Sequence, residues 1–421
     1  MRQRTYAFLF LSALCLVSLV ACGPAPPVTP LSTDAASMDS EQTTPTYTIA
    51  IPAATSTDTP SPPIGGQSLP TMIPIQGDEE PRVVPTFDRA TILPTPMLPA
   101  GTDFQQIDFA VLSVENVRQL SLVREIRSED GINSNLAFSP DGRWLAAGSS
   151  TGVIHVWDAA TGEEVALLEG HTGRVRTIAF SPGGDLLASG GWDKSIILWD
   201  TATWTPIRTL LGHEHYVSQV VFSPDGTLLA SGGIPLIIWD VASGEQLYTI
   251  DASGLIPEDL EFSPDGSLLA SAHGETDFFL WRVADGNLEH TLVGESTTSF
   301  LAFSSEGMLA AGSSSFSAGD RNPLGQILFW DPWLGSSIGA TQENAAVVDM
   351  LFSNDSSLFI TCGWAGHDII FWRTTDGMRI WGLTGHPRTA YTLALSSDGT
   401  LLASGDLDGR ILLWGVSASL P

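Results

Sequence analysis

Seven tryptophans, at positions 157, 199, 239, 281, 330, 372 and 414, follow one another at spacings of 42, 40, 42, 49, 42 and 42 residues. A fixed period in this range marks an array of similar supersecondary units, each too small to bury a core alone. Each tryptophan is preceded by a marker that closes an earlier strand, in order Phe138, Phe180, Phe222, Phe262, Phe303, Phe352 and Leu395. In the second unit the pattern reads "RTIAF" (176–180), "SPGG", "DLLASGG" (185–191), "SIILWD" (195–200) and "TPIRTLLG" (205–212). These are four short strands separated by turns.

The turns have a chemical cause. In "SPDG" (139–142, 223–226 and 263–266) proline presets φ at the second position and glycine suits the fourth, which predicts a type I turn. The two middle strands are apolar on both faces, as required of a small sheet sandwiched between two others. The fourth strand is more polar and belongs at the rim.

These units resemble the WD-repeat β-propeller family, over about 133–419. The Trp-Asp pair stands at 157–158, 199–200, 239–240 and 330–331; it becomes Trp-Arg at 281–282 and 372–373, and Trp-Gly at 414–415. The Gly-His dipeptide occurs at 170–171, 212–213 and 385–386. The resemblance implies a structural hydrogen-bond network inside a blade. Its members would be His171, Ser189, Asp193 and Trp199 in unit two, and His386, Ser404, Asp408 and Trp414 in unit seven. Unit three keeps His213, Ser231 and Trp239 without the aspartate, and the remaining units lack most of the set. The expected fold is all-β: a seven-bladed propeller over 105–421, within the usual range of four to eight blades. Unit seven supplies only three strands. The unassigned "RQLSLVREIR" (118–127) can supply the fourth and close the ring, which removes an exposed sheet edge.

The N-terminus has a different character. Arg2 and Arg4 precede the apolar run "TYAFLFLSALCLVSLVA" (5–21), the pattern of a secretion signal and too short for a membrane span. The run ends in "LVAC" (19–22), which resembles a bacterial lipobox and implies signal cleavage after residue 21 and acylation of Cys22. With Cys15 lost and Cys22 acylated, Cys362 stays alone, so no disulfide forms within the mature chain. Sixteen of the 27 prolines lie between Pro24 and Pro99, among Thr, Ser and Ala, so residues 22–104 read as a disordered tether. The expected location is the bacterial cell envelope, with the chain lipid-anchored on the extracytoplasmic side.

No catalytic or metal chemistry is expected. "GSSTG" (148–152) has the spacing of a nucleophile elbow but lies between two strands, not at a strand-to-helix turn. "HEH" (213–215) lacks further ligands, and "DLDG" (406–409) lacks the bidentate glutamate of a calcium loop. No phosphate-binding loop or dinucleotide fingerprint is present, so no cofactor is expected. The chain carries 47 acidic against 18 basic residues, with one lysine, Lys194. Such charge argues against nucleic acid and anionic lipid as partners. It reads first as solubilising, with a preference for cationic or divalent-bridged partners as the functional counterpart.

The family resemblance implies binding on the face formed by loops leading into strand one and joining strands two and three. Those loops carry Arg174, Trp192, Tyr216, Trp364 and Arg388, and the insertion 313–326 adds Phe316 and Arg321. Trp, Tyr and Arg dominate interface energetics. The leading expectation is a non-catalytic, monomeric scaffold for a protein or peptide, tied to the membrane by lipid only. The alternatives are a small ligand or a reaction in the central channel, which would need polar side chains on strands that read "NLAF", "TIAF" and "QVVF", and outer-membrane protein assembly.

Overall fold

The computed structural model describes residues 108–418, apart from 133, 253, 316–323, 344–345 and 364–367. These belong to one of the two units into which the chain divides, Gly65–Pro421. The signal segment, Cys22 and the tether lie outside the described residues, as do Phe316, Arg321 and Trp364.

The fold is all-β, in repeated antiparallel sheets whose strands follow chain order. Unit one contributes Leu136–Phe138, Trp144–Gly148, Val153–Asp158 and Glu164–Glu169. Unit two contributes Val175–Phe180, Leu186–Gly191, Ser195–Asp200 and Thr205–Leu211. Units three and six repeat the arrangement over Gln219–Ile250 and Val347–Thr384. In the "SPDG" turns the glycine is required: Gly142, Gly226 and Gly266 have φ of 70°, 73° and 71°, a region that side chains disfavour.

Units four and five depart from the expected separate sheets. One 16-residue strand, Leu288–Phe303, pairs with Glu275–Arg282 through its first part and with Leu309–Ser315 through its second, which fuses them into a seven-stranded sheet. Between units one and two, two and three, and six and seven a Gly-His loop breaks the chain at this point. Here "GESTTSF" (294–300) offers β-prone threonines and no breaker past Gly294.

The last sheet gathers both ends of the repeat region. Ala390–Leu395, Leu401–Asp406 and Arg410–Ser417 form three strands. Ser121–Arg127 pairs with the third of them, Leu122 opposite Trp414 and Ile126 opposite Ile411. Phe109–Ala110 pairs further along the same strand, and part of the expected 118–127 run is instead a 3-10 turn, Val117–Gln119.

The core lies between successive sheets, not within them. Ile154 and Val156 of unit one pack with Ile178, Leu187 and Trp199 of unit two, and Ile126, Ile411 and Leu413 of the last sheet pack with Leu145 and Trp157 of the first. All seven repeat tryptophans are buried. The outer strands are less polar than the sequence suggests, since Leu167, Ile207 and Leu211 are exposed.

A polar belt links the innermost strands. Asn135 Oδ1 accepts from Ile178 N (2.9 Å), Thr177 Oγ1 from Val220 N (3.0 Å) and Asp259 Oδ2 from Leu301 N (2.8 Å). Asp349 Oδ2 accepts from Leu393 N (2.7 Å), and Thr392 Oγ1 from Leu136 N (3.0 Å). Gln219 joins side chain to side chain, accepting from Thr177 and donating to Asp259 (2.6 and 2.9 Å). Each contact satisfies a backbone or amide group that would otherwise be left unpaired between the sheets.

Candidate functional site

Inside unit two, His171, Ser189, Asp193 and Trp199 meet. His171 Nδ1 lies 2.9 Å from Asp193 Oδ2, its Nε2 2.8 Å from Ser189 Oγ, and Trp199 Nε1 donates to the same oxygen at 2.8 Å. With Nδ1–H given to the carboxylate, Nε2 is left to accept the serine proton. Burial pushes the Asp193 carboxyl up, but its interaction with His171 and the hydrogen bonds from Thr172 N and Ser195 outweigh this and hold it below the usual range.

Unit seven repeats the set with one correction. The partner of His386 Nδ1 is Asp406, at 2.9 Å, not Asp408, while Ser404 joins His386 and Trp414 as expected. Asp408 turns outward to Arg388 at 2.8 Å. The cause is the residue two past the serine. It is Gly191 in unit two, which has no side chain, so Asp193 reaches the histidine; in unit seven Asp406 occupies that place and gets there first.

The serine and tryptophan half of the network extends further than the sequence indicated. Unit three forms the set expected of it, with Trp239 and His213 both on Ser231, and beyond the expectation Trp281 donates to Ser271 and Trp372 to Thr361. In unit four His273, on the end of the second strand and not in a Gly-His loop, binds Ser271 at 2.9 Å. Units one and five have alanine, Ala147 and Ala311, at the serine place, and in unit five Trp330 Nε1 is buried without a partner. Ala311→Ser should supply the missing acceptor and raise stability by about 1 kcal/mol, read as a shift in denaturant midpoint.

These networks brace the loop face. Arg174, at the entry to strand one of unit two, places its guanidinium over the Trp192 ring, 5.2 Å from the centroid. Trp192, in the loop after Gly191, stacks on Tyr216 of unit three at 5.7 Å and 23°. Arg176 lies over Tyr216 at 6.0 Å, and Lys194 Nζ reaches the Glu214 carbonyl at 2.7 Å. Trp192 packs on the neighbouring unit and still leaves 55% of its surface exposed. Arg388 stands apart, ion-paired with Asp408.

Arg176 also borders a cavity between the innermost strands, of about 100 Å³, with Ser134, Asn135, Glu258, Asp349 and Tyr391. The expectation of a channel without converging polar groups is overturned: Asn135, Gln219, Asp259 and Asp349 all reach into it. Their signal was in the sequence, since each stands three residues before a marker, as do Thr177 and Thr392. Burial pushes Asp259 up to about 6 and Asp349 up to about 7 against the hydrogen bonds they accept, and Glu261, beside Asp259, is raised well above the usual range.

These carboxylates contribute stability that is complete below the ordinary carboxylate range and is lost as pH rises through 6 to 7. His213 and His273 act oppositely. Burial lowers both to about 4, so their contribution is present above about 6.5 and is lost as pH falls through 4. Asp349→Asn separates the two. On acidification from about pH 8 to about 5.5 the wild type should gain more stability than the variant, measured by urea denaturation.

The WD domain, G-beta repeat family model matches residues 121–158, 162–200, 204–234 and 377–415. Among curated relatives, the probable serine/threonine-protein kinase PkwA of Thermomonospora curvata is 58% identical over 41 residues, 10% of this chain and 6% of the relative. ROOT INITIATION DEFECTIVE 3 of Arabidopsis thaliana is 29% identical over 96 residues, 23% of this chain and 22% of the relative. The WD repeat-containing protein alr3466 of Nostoc sp. is 45% identical over 42 residues, 10% of this chain and 3% of the relative. The chain therefore spans under a quarter of each relative, and the kinase match is about one repeat long. WD40 repeats are present in this chain, and with them comes an architecture that points to protein interaction.

Proposed function

We propose that residues 105–421 form a seven-bladed propeller closed by Ser121–Arg127, and that this head is a non-catalytic scaffold binding a protein or peptide through its loop face. The closure reading is supported by the pairing of Ser121–Arg127 with Arg410–Ser417 and by the Thr392 to Leu136 link in the belt. Seven buried repeat tryptophans support the blade count. The lipobox-like "LVAC" and the proline-rich segment 22–104 support an anchored head held away from an extracytoplasmic membrane surface.

The observation that carries the binding reading is Trp192: more than half exposed, yet stacked on Tyr216 and faced by Arg174. A rigid aromatic held in place before binding loses little entropy when a partner covers it. The channel is the weaker candidate, because its polar groups are engaged in joining strands.

In-cell crosslinking of the anchored protein, read by mass spectrometry, should join one recurrent partner at the 174, 192 and 216 loops. Trp192→Ala with Tyr216→Ala should cut that capture at least tenfold while the unfolding transition stays within a few tenths of a kcal/mol. Undiminished capture would move the site off this face.

A further inference from the structure

In a chain so rich in carboxylates, several arginines find acidic neighbours. Arg127 and Arg410 hold Glu125, Arg282 holds Asp285 and Glu289, Arg373 holds Asp376, and Arg388 holds Asp408. Arg174, Arg176 and Lys194 do not, and unlike the other cations without an ion pair, among them Arg118 and Arg143, they gather at one aromatic pair. Among the described residues none of the three has an ion pair, although Glu214 and Glu258 lie on adjoining loops. Arg176 Nε is buried with no hydrogen-bond partner. Asp193, the carboxylate in the same hairpin as Lys194, is committed to His171, Thr172 N and Ser195.

Lys194 adds a backbone observation. It has a φ of 68°, at a hairpin position held by Gly152 and Gly409 in units one and seven, with φ of 92° and 84°. The single lysine of the chain therefore sits where glycine is the unstrained choice, beside the Trp192 platform.

Resting on the loop-face reading above, we propose that this cluster recognises an acidic peptide carrying an aromatic residue. Its ring lies against Trp192 and Tyr216, and its carboxylates pair with Arg174 and Lys194 on the rim and Arg176 at the channel mouth. These three side chains are thus opposite in charge to the chain as a whole, which is -29. A nucleic acid carries its charge far beyond the patch and meets the acidic surface around it, whereas a short peptide keeps its charges within a Debye length, about 10 Å, of the three cations. Glu258, Asp259 and Asp349 line the same cavity as Arg176, so the peptide lies across the rim.

The test uses the full-length protein in detergent and short end-blocked peptides sharing a central Phe-Pro-Phe flanked by Glu, Ser or Lys, with binding read by fluorescence anisotropy. The Glu peptide should bind about tenfold or more tightly than the Lys peptide near 0.1 M salt, with the Ser peptide between, and 1 M salt should erase the difference. Arg174→Glu with Lys194→Glu, both at exposed positions, should invert the order. Trp192→Ala should weaken all three peptides alike. Equal or reversed preference in the wild type, or an order unmoved by the double charge reversal, overturns the acidic class. If no peptide binds but in-cell capture still depends on Trp192, the acidic class fails and the face stands. If capture is also indifferent to Trp192, both readings fail.

Discussion

A chain lacking residues 105–130 is expected to lose cooperative unfolding altogether. Three effects combine. The strand Arg410–Ser417 loses its partner Ser121–Arg127 and becomes a bare sheet edge. Leu112, Val117 and Leu120 leave the cluster between units six and seven, and Ile126 leaves the cluster between the last and first sheets. Each is 4% exposed or less. At about 1.5–3 kcal/mol for each buried aliphatic side chain, the four together are worth about 6–12 kcal/mol. That is comparable to the whole stability of an ordinary domain, about 5–15 kcal/mol. The measurement is circular dichroism against temperature and urea. A truncated chain melting within a few degrees of the intact head would end the closure reading.

Ser189→Ala is the second large effect, expected to cost about 3 kcal/mol. The hydroxyl is fully buried and serves two groups at once, accepting from Trp199 Nε1 and meeting His171 Nε2. Its removal leaves both without a partner, and each unsatisfied buried polar group costs about 1–3 kcal/mol. Trp330 shows that the fold tolerates one such orphan, so the loss should weaken unit two without abolishing folding. The check is the shift in urea midpoint at constant slope. A change under about 1 kcal/mol would mean that water or a neighbour replaces the hydroxyl.

Much of this arrangement was legible in the sequence because it rests on local chemistry. Proline and glycine place the turns, and a tryptophan at fixed spacing marks the third strand of every unit. Three features were not legible, each for a definite reason. The partner of His386 depended on whether the residue two past the serine carries a carboxylate, which a spacing rule copied from unit two overlooks. His273 was hidden because the same nitrogen reaches Ser271 from a strand and not from a loop. The belt escaped because its residues act across units: Asn135 means little beside its own neighbours and becomes intelligible only when Ile178 lies next to it. Of the loop-face residues, the structure brings Arg174, Trp192 and Tyr216 together and sends Arg388 elsewhere.

The long strand Leu288–Phe303 changes how the array can be cut and rejoined. Between most repeats the boundary is a loop, and a loop can be opened, lengthened or used to graft in a foreign repeat while the hydrogen-bond ladders stay whole. Across units four and five the boundary runs through the ladder itself, because Glu275 faces Thr298 on one side and Ser313 faces the same residue on the other. These two repeats can therefore be exchanged or opened only as a pair. New chain termini or inserted domains belong at the Gly-His loops, and a break near Thr298 would tear two repeats at once.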